Sequence, residues 1–153
     1  MNEGARPVSW TRTAIALVAG WVFPGAGHAV LGRVRRGILF SVIVLGSFGL
    51  GLAHDGRLAL RSPREPVLSA LQVLANVGVG PLDVFARVSV YGEAAYALPA
   101  GGDPEVYERR LQILRDRART ALSIYGTAYL WTAGLMNLLL LLDVADIARG
   151  RKP

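Results

Sequence analysis

Residues 121–142, ALSIYGTAYLWTAGLMNLLLLL, contain no charged side chain. A hydrocarbon core about 30 Å thick is crossed by roughly 20 apolar residues at about 1.5 Å rise each, so this stretch is long enough to span a bilayer. Two more apolar segments precede it, about Thr13 to Leu31 and Ile38 to Ala53. Together they predict one all-α integral membrane domain over 1–153. It comprises a helical hairpin over 13–53, a polar and amphipathic middle over 54–120, a third spanning helix over 121–142 and a basic tail over 143–153.

Composition narrows the function classes. Hydrophobic residues make up 52% of the chain and glycine occurs 18 times, as suits membrane helices, in which glycine is common. Cysteine is absent, which excludes disulfides, thiolate metal sites and a cysteine nucleophile. The net charge of +6 comes mainly from arginines between the apolar runs. That is the pattern of positive-inside loops and of contact with anionic headgroups, so the bilayer itself is an expected partner. Nucleic-acid binding wants a basic face with interleaved aromatics on a soluble domain, and no such face is present.

The first apolar segment is interrupted by Pro24-Gly25-Ala26-Gly27. Proline removes a helix hydrogen bond and glycine eases bending, so a kinked or broken helix is expected. A signal peptide shares this basic-then-apolar order, but the Pro-Gly break and the second apolar segment argue against cleavage. Gly32-Arg33-Val34-Arg35-Arg36-Gly37 forms a tight basic turn. Gly46, Gly49 and Gly51 offer flat surface for helix packing, with Ala16 and Gly20 as the matching pair on the first helix. Gly49→Leu is therefore expected to disturb packing or oligomer formation. Three spans with the N-terminus inside would put Arg6, Arg12 and the arginine-rich middle on one side, and the turn and tail on the other.

The middle is less regular. Pro63 and Pro66 stop helices in a polar stretch from His54. Val67–Val90 is read first as a re-entrant or interfacial helix, with a fourth span as the alternative. If this segment spans, Asn76 and Asp83 need protein partners. Tyr91 to Gly102 reads as a loop. Asp103 then caps an amphipathic helix with Pro104 at its first position. Its apolar stripe is Tyr107, Leu111, Leu114, Ala118 and Leu122, with Glu105 and Arg109 at i,i+4. It is expected either to lie on the membrane surface, running into the last helix, or to stand solvated beside it.

Two constellations are candidates for function. One is the helix break Pro24, Gly25, Gly27 and His28 with Gly32 and Arg33. Here His28 is a ligand or proton relay, or else hydrogen-bonds a freed carbonyl or a headgroup. The glycines are no phosphate loop, because the Gly-Lys-Ser/Thr ending is missing. The other is Asn137, Asp143 and Asp146 on the last helix. The two carboxylates share a face at i,i+3 and oppose the helix dipole at its C-terminus, so each calls for a partner, with Arg149 and Arg151 nearby. Asn137 suits an interhelical hydrogen bond. Two histidines without thiols make a structural zinc site a poor fit. With no defensible nucleophile, acid and base set, no enzyme and no cofactor are expected.

Trp21-Val22-Phe23-Pro24-Gly25-Ala26-Gly27-His28, Leu31-Gly32-Arg33 and Arg36-Gly37-Ile38-Leu39-Phe40 resemble the two-helix transmembrane hairpin domain. The whole chain resembles more closely a bacterial membrane family, the domain of unknown function 6677. The likeness extends through Gln72–Pro81 (QVLANVGVGP), Gly126-Thr127-Ala128-Tyr129, Ala133–Leu139 (AGLMNLL) and Asp143. The resemblance implies a multi-pass inner-membrane protein and brings no established activity. The leading expectation is a non-enzymatic interaction or assembly component, alone as a homo-oligomer or with another membrane protein. It would use the glycine-rich hairpin and Asn137. The alternative is a small ion or solute transport component using His28 and the Asp143/Asp146 helix end.

Overall fold

A computed structural model of the chain describes residues 8–98 and 104–152. It is all-α, in the order α1 (Trp10–Val22), α2 (Ala26–Val30), α3 (Val34–Ala53), α4 (Pro66–Val77), α5 (Pro81–Tyr91), α6 (Pro104–Ala118) and α7 (Ser123–Ala148). Among the described residues the only extended pairing is an isolated bridge between Arg61 and Ala97. α3 and α7, with 20 and 26 residues, are long and apolar enough to cross a membrane. The pair α4 and α5 makes a third candidate only if it counts as one bent span.

The two long helices pack along a seam of Val44, Phe48, Leu130 and Leu140. Gly51 lies against Leu130 and the Gly126 carbonyl. α7 begins beside the chain that leaves α3, where Ser123 Oγ donates to the Asp55 carbonyl (3.1 Å). This is the loop end of the bundle. At the opposite, turn end, the C-terminus of α7 meets the start of the chain through Val8 N–H and the Ala148 carbonyl (2.9 Å).

The first apolar segment divides at its Pro-Gly break into helices of 13 and 5 residues, each shorter than a crossing requires. Proline disfavours helical backbone in the residue before it, and Phe23 is extended at φ −139°, ψ 115°. Gly25 then turns the chain at φ +86° against the Gly37 carbonyl, where a side chain has no room. α2 runs back beside α1, and Arg12 Nη2 donates to the Val30 carbonyl (2.9 Å). Both ends of the segment therefore lie at the turn end. α1 and α3 do not form a direct seam; α2 and α7 lie between them. The match expected for Ala16 and Gly20 on α3 is corrected accordingly, since both face Gly27 of α2.

α4 and α5 repeat this plan from the loop end. They meet at a bend of 111°, where Gly80 takes φ +81° ahead of Pro81. α4 passes α7 where Ala75 meets Gly134, too close for any side chain there. α5 then turns back. Arg87 Nη1 donates to the Ala59 carbonyl (2.9 Å) and Tyr91 Oη to the Leu58 carbonyl (2.7 Å). Ala59 N–H donates to Asn76 Oδ1 on α4 (2.9 Å). Tyr91, expected in a loop, is the last residue of α5.

α6 packs Tyr107, Leu111 and Leu114 against the protein core, whereas Ala118 and Leu122 are exposed. It does not run straight into α7. The helix stops at Ala118, and Thr120 and Ser123 bond instead to Asp55, the competition that hydroxyl side chains offer to helix. The expected Asp103 cap lies outside the described residues.

Candidate functional site

The tips of the two broken elements meet inside the bundle. Gly80 sits against the Trp21 carbonyl, where any Cβ would collide with it. Asn137 of α7 ties the tips together, its Nδ2 donating to the Gly20 carbonyl (3.3 Å) and the Gly78 carbonyl (2.9 Å). Asn137 is fully buried and its Oδ1 has no partner among the described residues. It does make the expected interhelical bonds, but within this chain, which leaves it unavailable to another protein.

His28 and Asp143, 115 residues apart in sequence, are in contact: His28 Nε2 lies 3.1 Å from Asp143 Oδ2. His28 is wholly buried against Phe40 (ring centroids 5.1 Å apart), while Asp143 keeps 27% of its side chain exposed. The other oxygen of Asp143 accepts a 2.6 Å bond from Lys152 Nζ. That bond holds the Lys152 ammonium above the ordinary lysine range, against the opposing charge of Arg36. His28 Nδ1 is buried and has no partner among the described residues. Asp143, a buried histidine and an exposed ammonium thus form a chain from the protein interior to the turn end. Asp146 stands apart from it and pairs with Arg151 at 3.6 Å.

The remaining expected residues separate into two groups. Pro24 is buried and its carbonyl accepts from Ser41 Oγ (2.6 Å), fixing the break against α3. Gly25 and Gly27 are tightly enclosed. Gly32, at φ +83°, and Gly49 have no atom near the position of a side chain. The packing role expected of Gly49 inside the chain is therefore corrected. On α3 it lies about 200° around the helix from Gly51, which faces the seam. Arg33 precedes α3 and lines an open cleft with Gly32, Val34, Arg35 and Arg36.

A second charged cluster does not stand out as a unit in the sequence. Asp83 and Arg87 are both wholly buried and pair at 2.7 Å across one helical turn. Arg87 also donates to the carbonyls of Ala59 (2.9 Å) and Ala95 (2.6 Å) and lies over the Tyr96 ring at 4.2 Å. The i,i+4 spacing of a carboxylate and a guanidinium in an apolar run is the signal that finds it. Among the described residues no group of three or more His, Cys, Asp or Glu gathers to hold a metal ion.

No curated protein and no solved structure matches the chain. A family model does: it covers residues 15–153, which includes most of the first broken element, all of the second, both long helices and the His28–Asp143 pair. The chain therefore belongs to DUF6677, a family of unknown function.

Proposed function

We propose that the chain is a non-enzymatic, multi-pass protein of the bacterial cytoplasmic membrane that passes protons along the buried polar side chains beside α7. The observation that carries this reading is their spacing. Ser123, Thr127, Asn137 and the His28–Asp143 pair follow one another down α7, with Asn76 at the level of Gly134. From Ser123 to Asp143 is about 30 Å of helix, the thickness of a hydrocarbon core. Three of these residues keep a buried polar atom without a partner among the described residues: Asn76 Nδ2, Asn137 Oδ1 and His28 Nδ1. An unmet polar group in an apolar medium costs several kcal/mol, and bound water is the usual remedy. Waters joining these atoms make a proton path, with His28 as the relay and Asp143 and Lys152 at its mouth.

The test is decay of an imposed pH gradient in proteoliposomes. The expected result is faster decay than in protein-free vesicles, lost in His28→Phe and Asn137→Leu variants that still insert and unfold cooperatively. Wild-type decay equal to that of protein-free vesicles overturns the reading.

One observation favours assembly as a second reading. Gly46 and Gly49 face outward on α3 with no neighbour, beside exposed Val42 and Leu50. Small residues on a lipid-facing helix permit close helix association. A homo-oligomer formed there is lost in Gly49→Leu, as read by native sizing, with the monomer's stability unchanged. A wild-type monomer removes this reading.

A further inference from the structure

The arginines at the bundle's ends differ in how they are engaged. At the turn end, Arg12 bonds the Val30 carbonyl and Arg151 pairs with Asp146. At the loop end, Arg87, Arg110 and Arg119 pair with Asp83, Glu93 and Asp116, and Arg117 bonds the Gly56 carbonyl. The side chains of Arg57, Arg61 and Arg64, also at the loop end, bond to no described residue, and Arg57 and Arg61 line separate clefts. At the turn, the side chains of Arg33, Arg35 and Arg36 likewise have neither a hydrogen bond nor an ion pair to any described residue. They stand within four positions of one another and line a single open cleft of about 560 Å³. Guanidinium groups in such a cluster match a phosphate, which they bind through paired N–H donors.

Where the cleft ends, an apolar surface begins. α3 continues from Arg36 with Ile38, Leu39 and Val42, each more than half exposed. A free phosphate uses the guanidinium groups and leaves that surface unused. A phospholipid uses both, with its headgroup among the arginines and an acyl chain along α3. Position supports the same choice, because the turn lies at the end of a helix long enough to cross a membrane, where headgroup phosphates sit.

We infer that Arg33, Arg35 and Arg36 form a binding site for the phosphate of an anionic phospholipid, whose acyl chain lies against Ile38, Leu39 and Val42. The inference is independent of the proton path, because it uses neither His28 nor Asp143.

The test uses the full-length protein in detergent, with phosphatidylglycerol and phosphatidylcholine titrated in turn and bound lipid counted by native mass spectrometry. Wild type should hold phosphatidylglycerol in preference to phosphatidylcholine. The triple variant Arg33→Gln, Arg35→Gln, Arg36→Gln should lose at least about tenfold in phosphatidylglycerol affinity, because three basic residues leave an anionic surface. A control of equal charge loss at the loop end, Arg57→Gln, Arg61→Gln, Arg64→Gln, should leave that affinity within about twofold, inside the scatter of a tenfold effect. The thermal midpoint of each variant checks its fold. Equal losses in both triple variants, or no preference between the lipids, overturns the site. Inorganic phosphate that binds alone and displaces phosphatidylglycerol at equal concentration overturns the lipid as its ligand.

Discussion

The two broken elements, 10–30 and 66–91, enter the bundle from opposite ends and solve the same problem differently. The first is held to other helices. His28 reaches Asp143 on α7, and the Pro24 carbonyl is bonded by Ser41 on α3. The second also rests on α7, at Gly134 and through Asn137, but its charged tie stays within its own turn and the loops beside it, through Asp83–Arg87 and the carbonyls of Ala59 and Ala95. The first tie opens to solvent through Asp143 and Lys152; both side chains of the second are fully buried. A tie with a solvent-facing member can exchange a proton. A sealed ion pair can only hold position, and it costs most when half of it is removed.

The sharpest way to break this contrast is Arg87→Leu. It leaves the Asp83 carboxylate buried without its partner and strips two carbonyls of a donor. The expected loss is about 3–5 kcal/mol of stability, read by thermal or denaturant unfolding in detergent. The double variant Asp83→Leu, Arg87→Leu should recover part of it, because no unpaired charge remains. A single variant with wild-type stability shows that the second element is not held by this pair. Next is Gly80→Ala, which puts a methyl group against the Trp21 carbonyl in a backbone conformation that alanine rarely adopts. Its expected cost is about 1–3 kcal/mol in the same assay. Asp143→Asn should cost less than Arg87→Leu, about 1–3 kcal/mol, because Asp143 is partly hydrated. It should abolish pH-gradient decay even where the protein still folds. The smallest effect belongs to Gly49→Leu, within about 0.5 kcal/mol for the monomer, because that position faces outward; a larger loss means that α3 turns Gly49 toward another helix of the bundle.

Much of this arrangement is legible in the sequence. Charge-free length marks α7, and Phe23-Pro24-Gly25 marks the first break, since proline and glycine act on the backbone wherever they stand. If 67–90 spans, the polarity of Asn76 and Asp83 demands protein partners, and each has one, Asn76 Oδ1 at the Ala59 N–H and Asp83 at Arg87. What distance in sequence hides is pairing. Nothing local to His28 or Asp143 indicates that they meet, because the contact depends on how far α2 runs back beside α1. The rotation of α3 is hidden in a similar way. Gly46, Gly49 and Gly51 look equivalent in a string, yet only the position in phase with Val44 and Phe48 reaches α7. The expected three-span topology fails to foresee the chain turning back at Gly25, since a break inside an apolar run is compatible with either a kink or a reversal.

That reversal has a consequence for charge. Arg12, the turn from Arg33 to Arg36 and the tail from Arg149 to Lys152 gather at one end of the bundle, whereas three spans would separate turn from tail. The chain contains no cysteine, so each introduced cysteine is a unique reporter. The most direct test is sided labelling of single cysteines at Ser9, Arg35, Asp55 and Lys152 in intact cells and in inverted vesicles, with a membrane-impermeant maleimide. Two broken elements entering from opposite ends predict that positions 9, 35 and 152 label from one side and position 55 from the other. Labelling of position 35 from the side opposite to positions 9 and 152 would contradict the arrangement and restore a full crossing by the first apolar segment.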